Sequence, residues 1–391
     1  MPHGRRRVGL VVAAVMAAGC GQAAKVNRSQ VGPHPRRSRP AVPHHGERAA
    51  AARGSPAGDA SARGGVYRAD RVGMLAPVVR GVRARVYVPN SEANSVDVIG
   101  PRRMRVVRRF AVGALPQHVT PAYDLRRLWV DNDQGNSLTP IDPATGRPGR
   151  AVAVSDPYNL YFTPGAGSAI VVAEALQRLD FRSPDRMRLR RSLPVPCPGV
   201  DHMDFTADGR YLLASCEFGA RMIRVDVRHR RLAGILRLPA GSEPQDVKLS
   251  ADGHVFYVAD KARGGVYRID AQHPRLRGFV STGAGAHGLY VSRDAARLYV
   301  TNRDAGTVSV LAWSGRKVQT WRIPGGSPDM GGVSADGRTL WLTGRYDSEV
   351  YAINTRTGRL RARIRVGAGP HGLSVFPQPG RYSLGHTGAF R

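Results

Sequence analysis

Seven times between residues 87 and 344 a short apolar stretch runs into a polar or small residue. The copies are Tyr87-Val88-Pro89-Asn90, Trp129-Val130-Asp131-Asn132, Val171-Val172-Ala173-Glu174, Leu213-Ala214-Ser215-Cys216, Tyr257-Val258-Ala259-Asp260, Tyr299-Val300-Thr301-Asn302 and Trp341-Leu342-Thr343-Gly344. Successive copies begin 42, 42, 42, 44, 42 and 42 residues apart, a register that chance does not produce. A second element keeps the period, opening on an inlet turn and running into a strand. It reads Pro116-Gln117-His118, Pro157-Tyr158-Asn159, Val200-Asp201-His202, Pro244-Gln245-Asp246, Ala286-His287-Gly288, Pro328-Asp329-Met330 and Pro370-His371-Gly372. Asp208-Gly209, Asp252-Gly253 and Asp336-Gly337 supply hairpin turns between the two elements, because glycine accepts positive φ. A third strand, such as Thr307-Val308-Ser309-Val310-Leu311, and a fourth, such as Arg361 to Val366, complete each unit. Four short strands per 40–45 residues or so is the period of propeller blades. The expected fold is all-β: a seven-bladed β-propeller of four-stranded antiparallel blades over residues 84–377. In the third blade Arg178 and Asp180 are expected to interrupt the third strand.

The phase of the repeat also predicts how the ring closes. The first blade begins at Arg85 with its second strand, and the unmatched inlet element, Pro370 to Phe376, lies near the C-terminus. Placing that strand innermost in the first blade leaves no open sheet edge. Residues 378–391 then read as a C-terminal tail.

Upstream of the repeat the sequence changes character. Arg5, Arg6 and Arg7 precede a 12-residue uncharged apolar run, Val8 to Gly19. The run is too short for a permanent membrane span and fits a signal-peptide core. It ends Ala17-Ala18-Gly19-Cys20, similar to a bacterial lipobox except that Ala17 stands where Leu is preferred. Residues 1–20 therefore read as a signal peptide with Cys20 as the lipidation site; ordinary cleavage near Ala18 is the alternative. Residues 21–83, rich in Pro, Gly, Ala and Arg, are expected to form a disordered basic tether. The protein is expected outside the cytoplasmic membrane, anchored by lipid or otherwise secreted, and monomeric.

In an antiparallel meander the turn entering the first strand and the turn after the second lie on one face. The inlet turns and the residues ending the second strand, among them Asn90, Asn132 and Asn302, therefore converge on one mouth of the central channel, the default ligand site. His118, His202, His287 and His371 occur in alternate inlet turns, with Asn159, Asp201, Asp246, Asp329, Glu174 and Asp260 around them. Imidazole and carboxylate are metal ligands, so no resident cofactor is expected but a divalent metal could be held here. The competing reading is that these polar groups cap strand starts and hold channel water, since histidines on alternate blades need not meet. His118 and His371 are expected to be neighbours, and His118 and His202 to lie farther apart. Cys197 and Cys216 flank a hairpin that brings their Cα atoms toward disulfide range, in a compartment that permits oxidation. Two free thiols, or a metal site of Cys197, Cys216 and His202, are the alternatives.

At the level of these motifs the chain resembles the YVTN-repeat β-propeller family, Tyr299 to Leu311 being a near-complete match. The resemblance implies an exported binding or surface protein. Its ligand would be a small molecule, a protein or an anionic polymer. Relatives with lactonase-like or lyase-like activity and a metal at the channel mouth imply an enzyme as the alternative. HExxH, GxSxG, Walker and CxxCH motifs do not occur. The formal charge of +30, with only four lysines among 59 basic residues, would attract polyanions. Single-stranded nucleic acid is a further candidate partner, although no stripe of aromatic and basic residues supports base stacking.

Overall fold

Residues 65–386 and 391 are described by the structure, a computed structural model. The signal segment, Cys20 and most of the tether lie outside the described residues.

The strands form seven antiparallel sheets. Each begins with an innermost strand such as Pro116–Pro121, Val200–Phe205, Pro244–Leu249 or Pro328–Val333, buried at every residue. Each ends on an outer strand such as Arg105–Ala111 or Arg231–Arg237, whose residues are mostly exposed. That gradient follows from the repeat: the inner strands carry apolar residues and buried polar ones, the outer strands arginine. Blade 2 departs slightly. Its outer strand is split into Arg147–Pro148 and Val152–Ala153, because Pro148 has no N–H to continue a ladder.

Seven apolar clusters hold the sheets together, one at each junction. Tyr161, Phe181, Phe205 and Ile223 join blades 3 and 4; Tyr299, Trp321, Leu340 and Tyr351 join blades 6 and 7. The seventh blade meets the first through Trp341, Val350, Val86 and Val88, so the ring is closed. Closure also runs through the backbone. Ser374–Phe376 pairs antiparallel with Arg85–Asn90, with Val86 opposite Val375, and occupies the innermost place in blade 1. Polar links stitch neighbouring inner strands together: Leu249 N–H donates to Asp204 Oδ2 (2.9 Å), Leu289 N–H to Asp246 Oδ2 (2.8 Å) and Gly331 N–H to the Tyr290 hydroxyl (2.6 Å).

Three expectations need correction. The third strand of blade 3, Arg178–Arg182, is continuous. Buried Asp180 is paired with Arg178 and Arg182 at 3.0 Å each and accepts a bond from the Ser192 hydroxyl at 2.6 Å. The charges expected to interrupt the strand thus neutralise one another within the blade.

Ordered chain also begins before residue 84. Gly65–Asp70 forms a 3-10 segment whose buried Tyr67 donates to the Leu249 carbonyl at 2.6 Å, and Val66 N–H bonds to Ala251 O. Residues 65–83 are therefore not tether, because their apolar side chains have a surface to cover.

The tail, finally, does not hang free. Leu384 is 1% exposed within the cluster joining blades 3 and 4. Tyr382 stacks on Tyr123 with centroids 4.8 Å apart.

Candidate functional site

The inlet turns deliver their second and third residues to the channel axis. His371 (blade 1), His118 (blade 2), His202 (blade 4) and His287 (blade 6) are all buried. Ring centroids are 4.9 Å apart for His118–His371, 5.6 Å for His118–His202, and 6.0 Å for both His202–His287 and His287–His371. The neighbouring-blade pair is the closer one, as expected, but alternate blades also bring their imidazoles into reach, because the channel is narrow at this level. A fifth ring, His386 of the tail, lies 3.9 Å from His118 and 5.3 Å from His202. Gly372 makes the room. A Cβ there would stand 2.0 Å from His118 Cδ2 and 3.0 Å from His386 Cε1.

Hydrogen bonding sets what each ring can offer. His118 Nδ1 lies 2.8 Å from the Tyr158 carbonyl. A carbonyl only accepts, so Nδ1 carries the proton and Nε2 presents its lone pair, buried and without a partner. His202 Nδ1 sits 2.5 Å from Asp201 Oδ1 in a charge contact, without the alignment of a hydrogen bond, and its Nε2 has no partner. Both His386 nitrogens are likewise unpartnered. One nitrogen from each of His118, His202 and His386 can be chosen so that all lie within 4.8 Å of one another. A carbonyl or carboxylate behind the ring, with the other nitrogen free, is the arrangement that orients metal-binding histidines.

Burial, followed by neighbouring cationic groups, pushes His118 and His386 well below the ordinary histidine range, so both stay neutral and keep their lone pairs. His371 and His287 are lowered in the same way, burial again being the main cause. Burial also disfavours a charge on His202, but the Asp201 carboxylate outweighs it and raises His202.

A second triad, His287, Asp329 and His371, has ligand atoms equally close, but it is already occupied by a cation. Arg303 donates to Asp329 Oδ1 from Nε at 3.0 Å and Nη2 at 2.6 Å, and His287 Nδ1 lies 3.0 Å from the same oxygen. Such a guanidinium repels a metal ion and engages one oxygen of its anionic ligand, Oδ2 remaining without a hydrogen bond.

The remaining residues expected at the mouth are tied into the scaffold. Asn90 Nδ2 donates to Ser95 Oγ and Asp97 Oδ2, Asn132 to Ser137 and Thr139, and Asn302 to Thr307 and Ser309. Each asparagine thus braces the turn after its own strand through Nδ2, while its Oδ1 is buried without a partner. Asn159 Nδ2 donates to the Tyr161 hydroxyl. Asp246 accepts two backbone bonds, and Asp260 Oδ1 accepts from Glu243 and Arg263 N–H.

Cys216 stands where those asparagines stand in other blades and is joined to Cys197 by a disulfide, Cα–Cα 5.0 Å. That leaves no thiolate for a metal site with His202. Above the histidines the lip is divided in charge. Asp133, Asp156, Glu174 and Glu217 come from blades 2 to 4; Lys261, Arg303 and Arg345 come from blades 5 to 7. Burial, then Asp201 and Glu217, pushes Glu174 up to about 8; burial and Asp156 push Asp133 up to about 6. On the opposite face a separate groove of about 1130 Å³ is lined by Arg83, Arg102, Arg103 and Arg108 among others.

The sequence model of a propeller family, described as the YNCE-like beta-propeller, matches residues 71–380. The chain belongs to that family. No curated protein matches this YNCE-like propeller. Among solved structures it is similar to the periplasmic gluconolactonase of Pseudomonas aeruginosa, with 20% identity, TM-score 0.64, and coverage of 76% of this chain and 99% of that one. It is also similar to hydrazine synthase of Kuenenia stuttgartiensis, with 18% identity, TM-score 0.57, and coverage of 72% and 92%. For virginiamycin B lyase of Staphylococcus aureus the values are 14%, 0.55, 64% and 84%. At these identities the likeness is one of fold.

Sequence reasoning missed His386, Arg303 and Tyr158. A periodic signal existed for Arg303, which occupies the position that Lys261 and Arg345 hold in the blades on either side. None existed for His386, which lies outside the repeat.

Proposed function

We propose that this YNCE-like propeller is an exported, tethered, non-catalytic binding protein whose channel takes a divalent metal ion of the imidazole-preferring class, such as zinc or copper. Its ligands are His118, His202 and His386. The observation that carries this reading is the set of buried, unpartnered ring nitrogens converging on one point. An unsatisfied buried polar group costs about 1–3 kcal/mol, and several at one place favour a ligand that satisfies them together. The lip carboxyl groups Glu174 and Glu217, both raised by burial, would ionise more readily with a cation in the channel.

Protein stripped with a chelator and titrated with Co(II) and Zn(II) tests the reading. Saturable binding of one ion per chain, lost in His118→Ala and His202→Ala, is expected. Absence of saturable binding overturns it. The exported location is tested separately by Cys20→Ser, which should move the protein from the membrane fraction to the medium; unchanged fractionation argues against the lipid anchor.

A metal-dependent lactonase-like or lyase-like activity at the same centre is a second reading. Three protein ligands with a further coordination position open favour it. Lactone hydrolysis by the metal-loaded protein, abolished in His118→Ala, would replace the non-catalytic reading.

A further inference from the structure

The chain after the ring-closing strand crosses the lower face of the propeller and then turns up into the channel. Gln378 anchors its start, accepting from Arg293 Nη2 at 2.5 Å and donating to Val375 O at 2.8 Å. Ser383 N–H bonds to Tyr123 O at 3.1 Å, and Phe162 N–H to Leu384 O at 3.0 Å. Gly385 then bridges Tyr161 in antiparallel register. It has φ +146°, and a Cβ would meet Tyr161 Cδ1 at 2.3 Å, so only glycine lets the chain pass this close to the inner strand and raise residue 386 to the histidines. Arg391 holds the far end, donating to Asp204 Oδ1 and Phe205 O at 3.0 Å each.

The segment is thus built to dock, yet it ends its ascent on an imidazole with neither nitrogen satisfied. Buried against the His118 and His202 rings with both nitrogens unsatisfied, that ring opposes docking unless something in the channel binds it. Tyr382 and Leu384 already anchor the segment, on Tyr123 and in the core joining blades 3 and 4; the histidine adds nothing to that anchoring.

We propose that the C-terminal segment is a detachable third arm of the metal centre, supplying His386 when docked, so that metal binding and tail docking favour each other. The proposal rests on the metal reading above. Linkage is reciprocal: whatever factor the docked tail adds to metal affinity, the metal adds to docking. The lower channel is then closed in the loaded protein and more readily opened in the empty one. This gives the apo protein a way to expose its histidines from the lower face.

The test uses the full chain and two readouts. Arg381 is exposed at the base of the arm, so trypsin cleavage there releases the peptide from Tyr382 to Arg391, which mass spectrometry quantifies. Zn(II) is expected to slow that release at least tenfold in the unaltered chain and to have no effect in His386→Ala. His386→Ala is also expected to bind Co(II) at least tenfold more weakly while His118→Ala binds none. Should the unaltered chain bind Co(II), but His386→Ala bind it within twofold and Zn(II) leave peptide release unchanged, the arm is overturned and the metal reading survives on His118 and His202. Failure of the unaltered chain to bind either ion overturns both. The release measurement on the unaltered chain stands even if His386→Ala folds poorly.

Discussion

Asp201 and His202 share one inlet turn, and the carboxylate lies 2.5 Å from Nδ1, leaving Nε2 as the nitrogen open to a ligand. An oriented ligand loses less entropy on binding a metal, and removal of such a partner costs roughly 10–100-fold in affinity. Asp201→Asn, nearly identical in shape, is expected to weaken Co(II) binding by about that factor while thermal stability changes little. Affinity within twofold of the unaltered chain would show that Asp201 does not position the ring. At this scale much of the site was legible. Four of the five channel histidines stand at the second or third position of the periodic inlet turns, and the repeat places them there. Their satisfaction was not legible, because whether a ring nitrogen has a partner depends on side chains from two or three other blades. The three asparagines, also periodic but at the end of the second strand, each commit Nδ2 to the Ser or Thr five residues later.

Elements show the same interplay of local pattern and environment. Blade 3 keeps its third strand because Asp180 has two arginine partners inside the same sheet. In blade 5, Asp270 accepts from Arg277 Nε at 3.1 Å and Nη2 at 2.5 Å and from the N–H groups of Gln272 and His273. Burial raises its carboxyl, but the His273 N–H and the Arg277 guanidinium outweigh that and bring it down to about 2, against an ordinary 3.8. A carboxyl lowered in the folded state stabilises the fold above its unfolded pKa, and that contribution fades as pH falls from about 4 to about 2. Because Arg277 is partly solvated, the effect should be modest and weakened by salt. In urea unfolding across that window, Asp270→Asn should be less stable than the unaltered chain at neutral pH, with the difference shrinking toward pH 2. A pH-independent difference would mean that packing, and not the ion pair, is what the substitution disturbs.

The whole molecule depends on a single closing strand. A chain ending at Gly369 lacks Ser374–Phe376, leaves Arg85–Asn90 as an unpaired edge and opens the junction around Trp341. It is expected to be insoluble or to unfold without cooperativity. A chain ending at Pro379 keeps the strand and loses the arm. It should fold with stability reduced by roughly 1.5–3 kcal/mol, the scale of one buried Leu side chain such as Leu384, as read from denaturant midpoints. A folded, cooperative 1–369 chain would refute the closure scheme. Equal stability of the 1–379 and full chains would show that the tail does not pack as described.

Sequence alone determined the number of blades, their four-strand order and the strand that closes the ring. These follow from strand length, turn chemistry and repeat phase, all properties of residues close together in the chain and copied seven times. Tertiary structure alone decided which polar groups meet at the axis. The channel radius at the height of the inlet turns sets whether histidines on alternate blades touch. Arg303 becomes the cation on Asp329 only because blades 6 and 7 abut. His386, in a short glycine-bearing tail without period or amphipathic pattern, acquires partners solely by passing through space to strands more than 180 residues earlier.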